Sequence, residues 1–474
     1  MTRNVAIVGG GIAGLAAALA LRDAGLAVTV LEASPWLGGK LAVSAVAGID
    51  VDAGAEALLA RRPEGIALLA ELGLDGQRRQ PGTTSAGVWT RGQVRPLPRR
   101  QFMGVPADPA ELAGTGLLSP EGLRRARADA DLPHDADFDG GLDASVADRV
   151  GARMGQEVVD RLVDPLLGGV YAGRCEDLSF QATLAPLAGA APRFRTLGEA
   201  VAALLPPSPA ASPAAPAAVF TTLAGGLGTL PPVLAAASGA SIATGSTVRE
   251  LVATADGWRL TIGSARAPRW LDADAVILAL PARPASRLLA GISASAARAL
   301  AEISYASMAV ITLAYPGAAF PVTPSGSGFL VPAIDGHVVK AVTFSTVKWP
   351  HLRQEAGGLH IVRCSAGRLG EEAVLQRDDA ELIRLAAADL AAAAGVQGCP
   401  ADARVTRWGG GLPQYSVGHL DRVGRIRAGV AAQPGLAVCG AAYDGVGIPA
   451  CIASARLAAS QVLAYLASRP ARRS

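Results

Sequence analysis

The chain opens with a change of hydrophobic period. NVAIV, residues 4–8, is a short apolar run with the length of a buried strand. A glycine-rich turn, GGGIAG, follows, and then an alanine and leucine run of helical spacing that ends near Gly25. AVTVL, residues 27–31, is a second apolar run, closed by Glu32. Strand, glycine turn, helix and strand predict a βαβ unit that begins a parallel sheet.

Beyond it the pattern is broken into unlike blocks. Residues 60–76 predict a helix ending at LGLDG, and residues 86–98 a strand hairpin around Arg91 and Gly92. Residues 105–205 read as mostly helical, broken at Pro109, Pro120 and Pro133, with the acidic stretch 129–143 as an exposed loop. LLPPSPAASPAAPAA, residues 204–218, is low in complexity and predicts an extended surface linker. Residues 240–262 and 274–282 have strand character, and 300–365 hold several strands with turns at Pro316, Ser325 and Asp335. Residues 378–394 predict a helix, and 404–474 a strand, a loop, a strand and a closing helix. The expected fold class is α/β: a Rossmann-like domain interleaved with a mixed-sheet domain and a helical insertion. The expected boundaries are 1–85, 215–275 and 404–474 for the first, 276–403 for the second and 86–214 for the third.

Composition narrows the function classes. Half of the 474 residues are apolar, enough for a large core. Mean hydropathy is +0.33, much of it from alanine. No uninterrupted apolar run reaches the length of about 18 residues that suggests a membrane span. The first residues enter a strand without a charged leader or cleavage site, so a cytoplasmic protein is expected. Peripheral membrane contact stays open, because the substrate could be apolar. A net charge of +3 is too small to argue for nucleic acid. The five cysteines, Cys175, Cys364, Cys399, Cys439 and Cys451, form no CxxC pair and are expected as free thiols. Cys439 and Cys451 are expected to pack as small apolar residues. The five histidines show no zinc-ligand spacing, and no metal is expected.

The candidate chemistry lies at the two ends of the chain. Gly9, Gly11 and Gly14 fit G-x-G-x-x-G within the run Gly9, Gly10, Gly11, Ile12, Ala13, Gly14. The first glycine allows the tight turn, the second lets a pyrophosphate approach the backbone, and the third lets the helix pack on the sheet. The helix start offers free N–H groups to the phosphates. Glu32, at the end of the second strand, can accept from a ribose hydroxyl. The fingerprint in this context predicts dinucleotide binding.

After Glu32 the chain reads ASPWLGGKL, and the E-x5-G-G-[RK] pattern resembles flavoproteins of the amine oxidase and protoporphyrinogen oxidase superfamily. Several further stretches resemble the oxygen-dependent porphyrinogen oxidases. These are VRPLPRRQFMGVPADPAEL from Val94, DPLLGGVYAGRCEDLSF from Asp164, FTTLAGGLGTL from Phe220, RWGGGLPQYSVGHLDRV from Arg407 and CGAAYDGVGIPACIASA from Cys439. The resemblance covers nearly the whole chain. It implies FAD as cofactor, with Gly9 to Gly14 at the pyrophosphate and Glu32 and Ala33 at the adenosine ribose. It places Lys40, Gly54, Ala55, Glu56 and Ala57 along the cofactor's path, Val248 at the adenine and Trp408 near the flavin. Val446, Gly447 and Ile448 would meet the isoalloxazine end. The carbonyl of Gly169 would face the substrate centre.

The implied reaction removes six electrons from a porphyrinogen in three hydride transfers, with O2 reduced to H2O2; the cofactor carries that chemistry. The PLP…MGVP style suggests coproporphyrinogen III as substrate, with protoporphyrinogen IX as the alternative. Two departures stand out. Gly54-Ala55-Glu56 replaces the Gly-Pro-Arg or Gly-Pro-Asp of many relatives, and SAGVW lacks the arginine that pairs a propionate in eukaryotic ones. Arg91 and Arg95 are candidates to substitute for it, but both read better as surface arginines. The rival readings are a flavin amine oxidase or carotenoid desaturase on the same fold, and a flavin-binding protein without oxidase activity. Contact with ferrochelatase is left open.

In YDGVGIPACIAS, from Tyr443, Gly445 and Gly447 are expected to let backbone approach the flavin ring. Pro449 suits a first helical turn. The helix from Ala450 toward Leu466 would aim its positive end at the flavin N1/C2 carbonyl edge.

Overall fold

The computed structural model describes residues 2–133, 141–206 and 219–469. The opening βαβ unit forms as its periodicity predicts. Asn4–Val8 and Ala27–Leu31 pair in parallel, Val8 beside Leu31, with the helix Ile12–Leu21 between them. They belong to a five-stranded parallel sheet in the order Ser241–Ala243, Ala27–Leu31, Asn4–Val8, Ala275–Leu278, Leu436–Val438. Side chains alternate between its faces. Val5, Ile7, Val28, Val30 and Ile277 pack against the helices Ile12–Leu21, Leu230–Ser238 and Ile448–Ser468. Ala6, Val8, Leu31, Val276 and Leu278 pack the other way, toward Ala282–Leu289, Ala294–Ala301 and His419–Ala431. A three-stranded antiparallel layer, Val248–Thr254, Gly257–Ser264 and Ala267–Ala273, completes that side.

The closing helix Ile448–Ser468 is long and apolar enough to cross a membrane. Its inner face, Cys451, Ile452, Ala455, Ala458, Ala459, Val462 and Leu466, is buried in the same core as Ile12–Leu21. Small alanines let the two helices approach closely, and each fully buried Ile, Val or Leu contributes about 1.5–3 kcal/mol.

The second body is a seven-stranded sheet. Its order is Asp402–Pro413, Tyr305–Pro316, Leu359–Ala366, Val339–Phe344, Gly328–Leu330, Gly87–Thr90, Gln93–Pro96. It is antiparallel except where Gly328–Leu330 meets Gly87–Thr90. The helix Asp379–Ala394 covers one face through Leu382, Ala386 and Leu390. The third body is helical and has its own core, from Val105 through Val201.

Strand pairing distributes the chain differently from the expected boundaries. The hairpin at 87–96 is an edge of the seven-stranded sheet, outside the helical body. Residues 275–301 belong to the dinucleotide sheet and its helices, and the strand Asp402–Pro413 belongs to the second sheet. Hydrophobic period identifies a strand but carries no record of its partner.

Local departures have plain causes. The first helix ends at Leu21, and Gly25 (φ +66°) serves the turn after it. The helix expected over 60–76 is Pro63–Glu71 plus a separate turn at Asp75–Gln77. Pro109 and Pro120 begin helical turns, where a missing N–H costs nothing, with Asp108 and Ser119 as caps. Asp129, expected on an exposed loop, is buried against Arg153, whose Nε donates to it at 2.5 Å. The rest of that loop at 134–140 and the linker at 207–218 lie outside the described residues. A helix at His419–Ala431 stands where a loop was expected.

Candidate functional site

Nucleotides bind parallel sheets beyond the carboxyl ends of the strands. Here that edge follows Val8, Leu31 and Leu278. Gly9 turns the chain with φ +112°, and a Cβ there would strike the Ala279 carbonyl oxygen. Gly14 lies so close to the Gly9 carbonyl that any side chain would collide with it. Gly11 is different: no other part of the protein lies within 4 Å of where its Cβ would be. It is the N-cap of Ile12–Leu21, and no side chain caps the helix there. Ala13 and Gly14 are buried in the helix, and Ile12 is partly buried.

Glu32 braces this turn. Its carboxylate accepts from Gly10 N at 2.6 Å and from Ser34 N at 2.8 Å. Gly38 N donates to Gly10 O at 2.9 Å, so the second glycine pair lies directly beside the first turn. Ala33 is exposed next to Glu32. Ser246 N donates to Glu32 O at 2.7 Å and Gly245 N to Ser34 O at 2.8 Å, which carries Val248 along the same edge. Burial lowers the ammonium pKa of Lys40, and no carboxylate among the described residues pairs with it.

The next segment crosses between the two sheets. Ala55 N donates to Lys40 O at 3.1 Å. Trp408 Nε1 donates to Ala53 O at 2.9 Å, and its ring edge would lie 3.2 Å from a Cβ at Gly54. Ala57 is half-buried on the far side, against Val46, Val51 and Trp349. The Glu56 carboxylate turns to the second sheet, where Lys348 and Arg363 both donate to it. Its side chain is therefore engaged elsewhere, and only its backbone remains for the cofactor's path. Burial raises the Glu56 carboxyl pKa, but the two cations outweigh burial and hold it at about 2.

The far end is the turn at Tyr443–Ile448. Gly445 has φ +143°, while Gly447 has an ordinary φ of −72° and is the N-cap of Ile448–Ser468. No side chain caps that helix, Pro449 occupies its first turn, and the nearest atom to a Cβ on Gly447 is Pro449 Cδ at 3.8 Å. Cys439 and Cys451 are buried free thiols in the adjoining core; burial pushes the Cys451 thiol up to about 11.

The residues that hold this turn were not singled out from sequence. Tyr415 Oη donates to Ala441 O and accepts from Gly445 N, both at 2.7 Å. His419 stacks on Tyr415 with ring centroids 3.8 Å apart, and its Nε2 donates to Tyr443 O at 3.2 Å. Burial pushes the His419 pKa down to about 4. Tyr415 also packs beside Tyr171, at 5.4 Å, in the core of the helical body, and Val446 packs against that core. The signal was present in the LPQYSVGH stretch, but nothing local says what Tyr415 reaches.

Gly169 lies in the last turn of Asp164–Tyr171, beside Leu330 of the second sheet. Carbonyls of a final helical turn lack partners further along the helix. Those of Gly168 and Tyr171 are taken by Ala172 N and Gln414 Nε2. Gly169 is exposed, and among the described residues no hydrogen bond beyond the helix engages its carbonyl. Arg91 and Arg95 do not point toward this region. Arg91 donates to Gly116 O, Leu117 O and Glu157, and Arg95 to Thr115 O.

Two uncapped helix starts, each with open space at its N-cap glycine, fit the two ends of one elongated cofactor. The glycine path Gly38–Gly39 and Gly54, with Trp408 above it, runs between the sheets. This is the architecture of a flavoprotein oxidoreductase with a dinucleotide-binding sheet and a separate second sheet, and FAD is its cofactor. The chain belongs to the family of flavin containing amine oxidoreductases, whose model matches residues 12–463, and within it to the porphyrinogen oxidases. It is 38% identical to the coproporphyrinogen III oxidase of Mycobacterium tuberculosis, over 99% of both chains. It is 31% identical to the Bacillus subtilis protein of that name, over 98% of this chain and 99% of that one. A crystal structure from Exiguobacterium, described as a candidate protoporphyrinogen oxidase, superposes with a TM-score of 0.85 at 28% identity, covering 98% and 99% of the two chains.

Proposed function

We propose that this protein oxidises coproporphyrinogen III to coproporphyrin III in haem biosynthesis. Six electrons and six protons leave the macrocycle, and three O2 become three H2O2. The observation that carries the reading is end-to-end similarity to coproporphyrinogen III oxidases, on a chain with two uncapped helix starts at glycine turns. Bound FAD would accept the electron pairs and hand them to oxygen. The chain's own task is to bind and orient both molecules.

In this reading the amides from Gly9 to Gly14 hold the pyrophosphate, with the uncapped start of Ile12–Leu21 behind them. Glu32 and Ala33 take the adenosine ribose, and Val248 the adenine. Lys40 and the backbone from Gly54 to Ala57 line the path to the ring, which lies near Trp408. Val446, Gly447 and Ile448 meet the ring, and the start of Ile448–Ser468 favours negative charge there. The free carbonyl of Gly169 faces the macrocycle and can accept from its pyrrole N–H groups. Substrate and O2 are the partners in this reading, and its setting is the cytoplasm.

The test is turnover of purified holoprotein with coproporphyrinogen III and protoporphyrinogen IX, read by porphyrin fluorescence and peroxide. Faster porphyrin formation from coproporphyrinogen III is expected. Preference for protoporphyrinogen IX would reassign the substrate, and no fluorescence from either would overturn the reading.

A further inference from the structure

Glu56 joins three elements of the protein at one carboxylate. Lys348, from the short helix Ser345–Lys348, and Arg363, from the strand Leu359–Ala366, both donate to it. Arg363 sends Nη2 on to Gly54 O at 2.6 Å. One guanidinium therefore grips both the Glu56 side chain and the backbone two residues before it. The trio is well covered, with side-chain exposures of 13% for Glu56, 11% for Arg363 and 17% for Lys348.

The surroundings add to the constraint. Glu56 and Arg363 line a small cavity of about 30 Å³ together with Asp50, Asp52, Thr222 and Ser345. Thr222 Oγ1, Ser345 Oγ and Arg363 Nε are buried with no hydrogen-bond partner among the described residues. That is room for about one water, with polar groups to hold it. A covered carboxylate between two cations is tolerated only while every partner stays in place. Movement of the second sheet against the Gly54–Glu56 segment would break the set.

Gly54 is where such movement would be felt. Its Cα faces the Lys40 carbonyl and the Trp408 ring so closely that no side chain fits. We infer that Glu56 is a positioning residue: through Arg363 it sets the Gly54 backbone against the cofactor and ties FAD to the sheet that carries Trp408. The inference rests on the cofactor path proposed above and needs no particular substrate.

The test is FAD titration of the apoprotein, with melting temperature and the visible flavin band as second readouts. Glu56→Gln keeps the shape and removes the charge; its FAD dissociation constant should rise about tenfold, with a shifted flavin band. Lys348→Met leaves Arg363 on both Glu56 and Gly54, so affinity should change less than about threefold. The double variant Glu56→Gln/Lys348→Met removes one charge of each sign. It should melt near the wild type as apoprotein and still bind FAD about fivefold more weakly. If Glu56→Gln does not fold, the double variant decides. Wild-type FAD affinity in the double variant would overturn the inference. So would a loss in Lys348→Met equal to that in Glu56→Gln, since charge balance would then explain both. No arm reads porphyrin formation, so failure of the substrate assignment would show separately.

Discussion

The two helix starts with open N-cap glycines are built in different ways. The first, at Gly11, is closed by a carboxylate and by backbone: Glu32 accepts from Gly10 N, Gly38 N donates to Gly10 O, and Gly14 fits against Gly9. The second, at Gly447, is held over similar separations along the chain, but by aromatic side chains and by a second body. Tyr415 and His419 fix the turn through its backbone, and Val446 leans on the helical body. The two sets span similar separations, 22 residues between Gly10 and Glu32 against 24 between His419 and Tyr443. What differs is packing: at the second start Tyr415 and Val446 also lie against the helical body.

The comparison can be broken most sharply at Gly14. Gly14→Val would drive a side chain into the Gly9 carbonyl, so both FAD binding and folding should suffer. A loss of FAD affinity above about 100-fold and a lowered melting temperature are expected by flavin absorbance and calorimetry. Gly447→Trp should separate the two properties, because its side chain enters open space. FAD affinity should again fall by about 100-fold, but the apoprotein should melt within a few degrees of wild type. A wild-type flavin spectrum in that variant would mean that this turn does not face the cofactor.

The Tyr415 and His419 set should also show in pH dependence. His419 is buried, with its folded-state pKa near 4 against an ordinary 6.5. The unfolded chain therefore binds the extra proton first as pH falls. The stability due to neutral His419 is complete above pH 6.5 and is lost between pH 6.5 and 4, up to about 3 kcal/mol. Urea unfolding across that window should show a steeper acid limb in the wild type than in His419→Asn. The smallest effect is expected for Tyr415→Phe. It leaves Gly445 N and Ala441 O without their partner, at about 1–3 kcal/mol, and should perturb the flavin band without abolishing FAD binding.

Much of the site was legible because its demands are local. A strand, a tight turn at Gly9 and a helix with glycine at two crowded positions leave a pattern in a few consecutive residues. Pro449 in the first turn of the closing helix is likewise a local rule. Glu56 shows where legibility ends. It lies within the cofactor motif, yet its carboxylate serves Lys348 and Arg363, about 300 residues away. Arg91 and Arg95 lie on the predicted hairpin, and their side chains are used to fasten it to the 115–117 turn and Glu157. The helix His419–Ala431 was missed because its start carries no capping side chain and follows a glycine with φ +80°.

By itself the sequence determined the βαβ unit, the glycine fingerprint, the strand hairpin at 87–96 and the family. Each rests on steric or hydrogen-bonding demands met within a few residues, or on motifs spread along the whole chain. Only the tertiary structure decided which sheet owns which strand, where Glu56 points and what holds the Gly447 turn. The first two depend on pairing between segments far apart in sequence, and the third on side-chain contacts that no local pattern announces. A backbone hydrogen bond or a buried ion pair accepts any partner of the right geometry, so its choice is made by packing and leaves no mark on either segment alone.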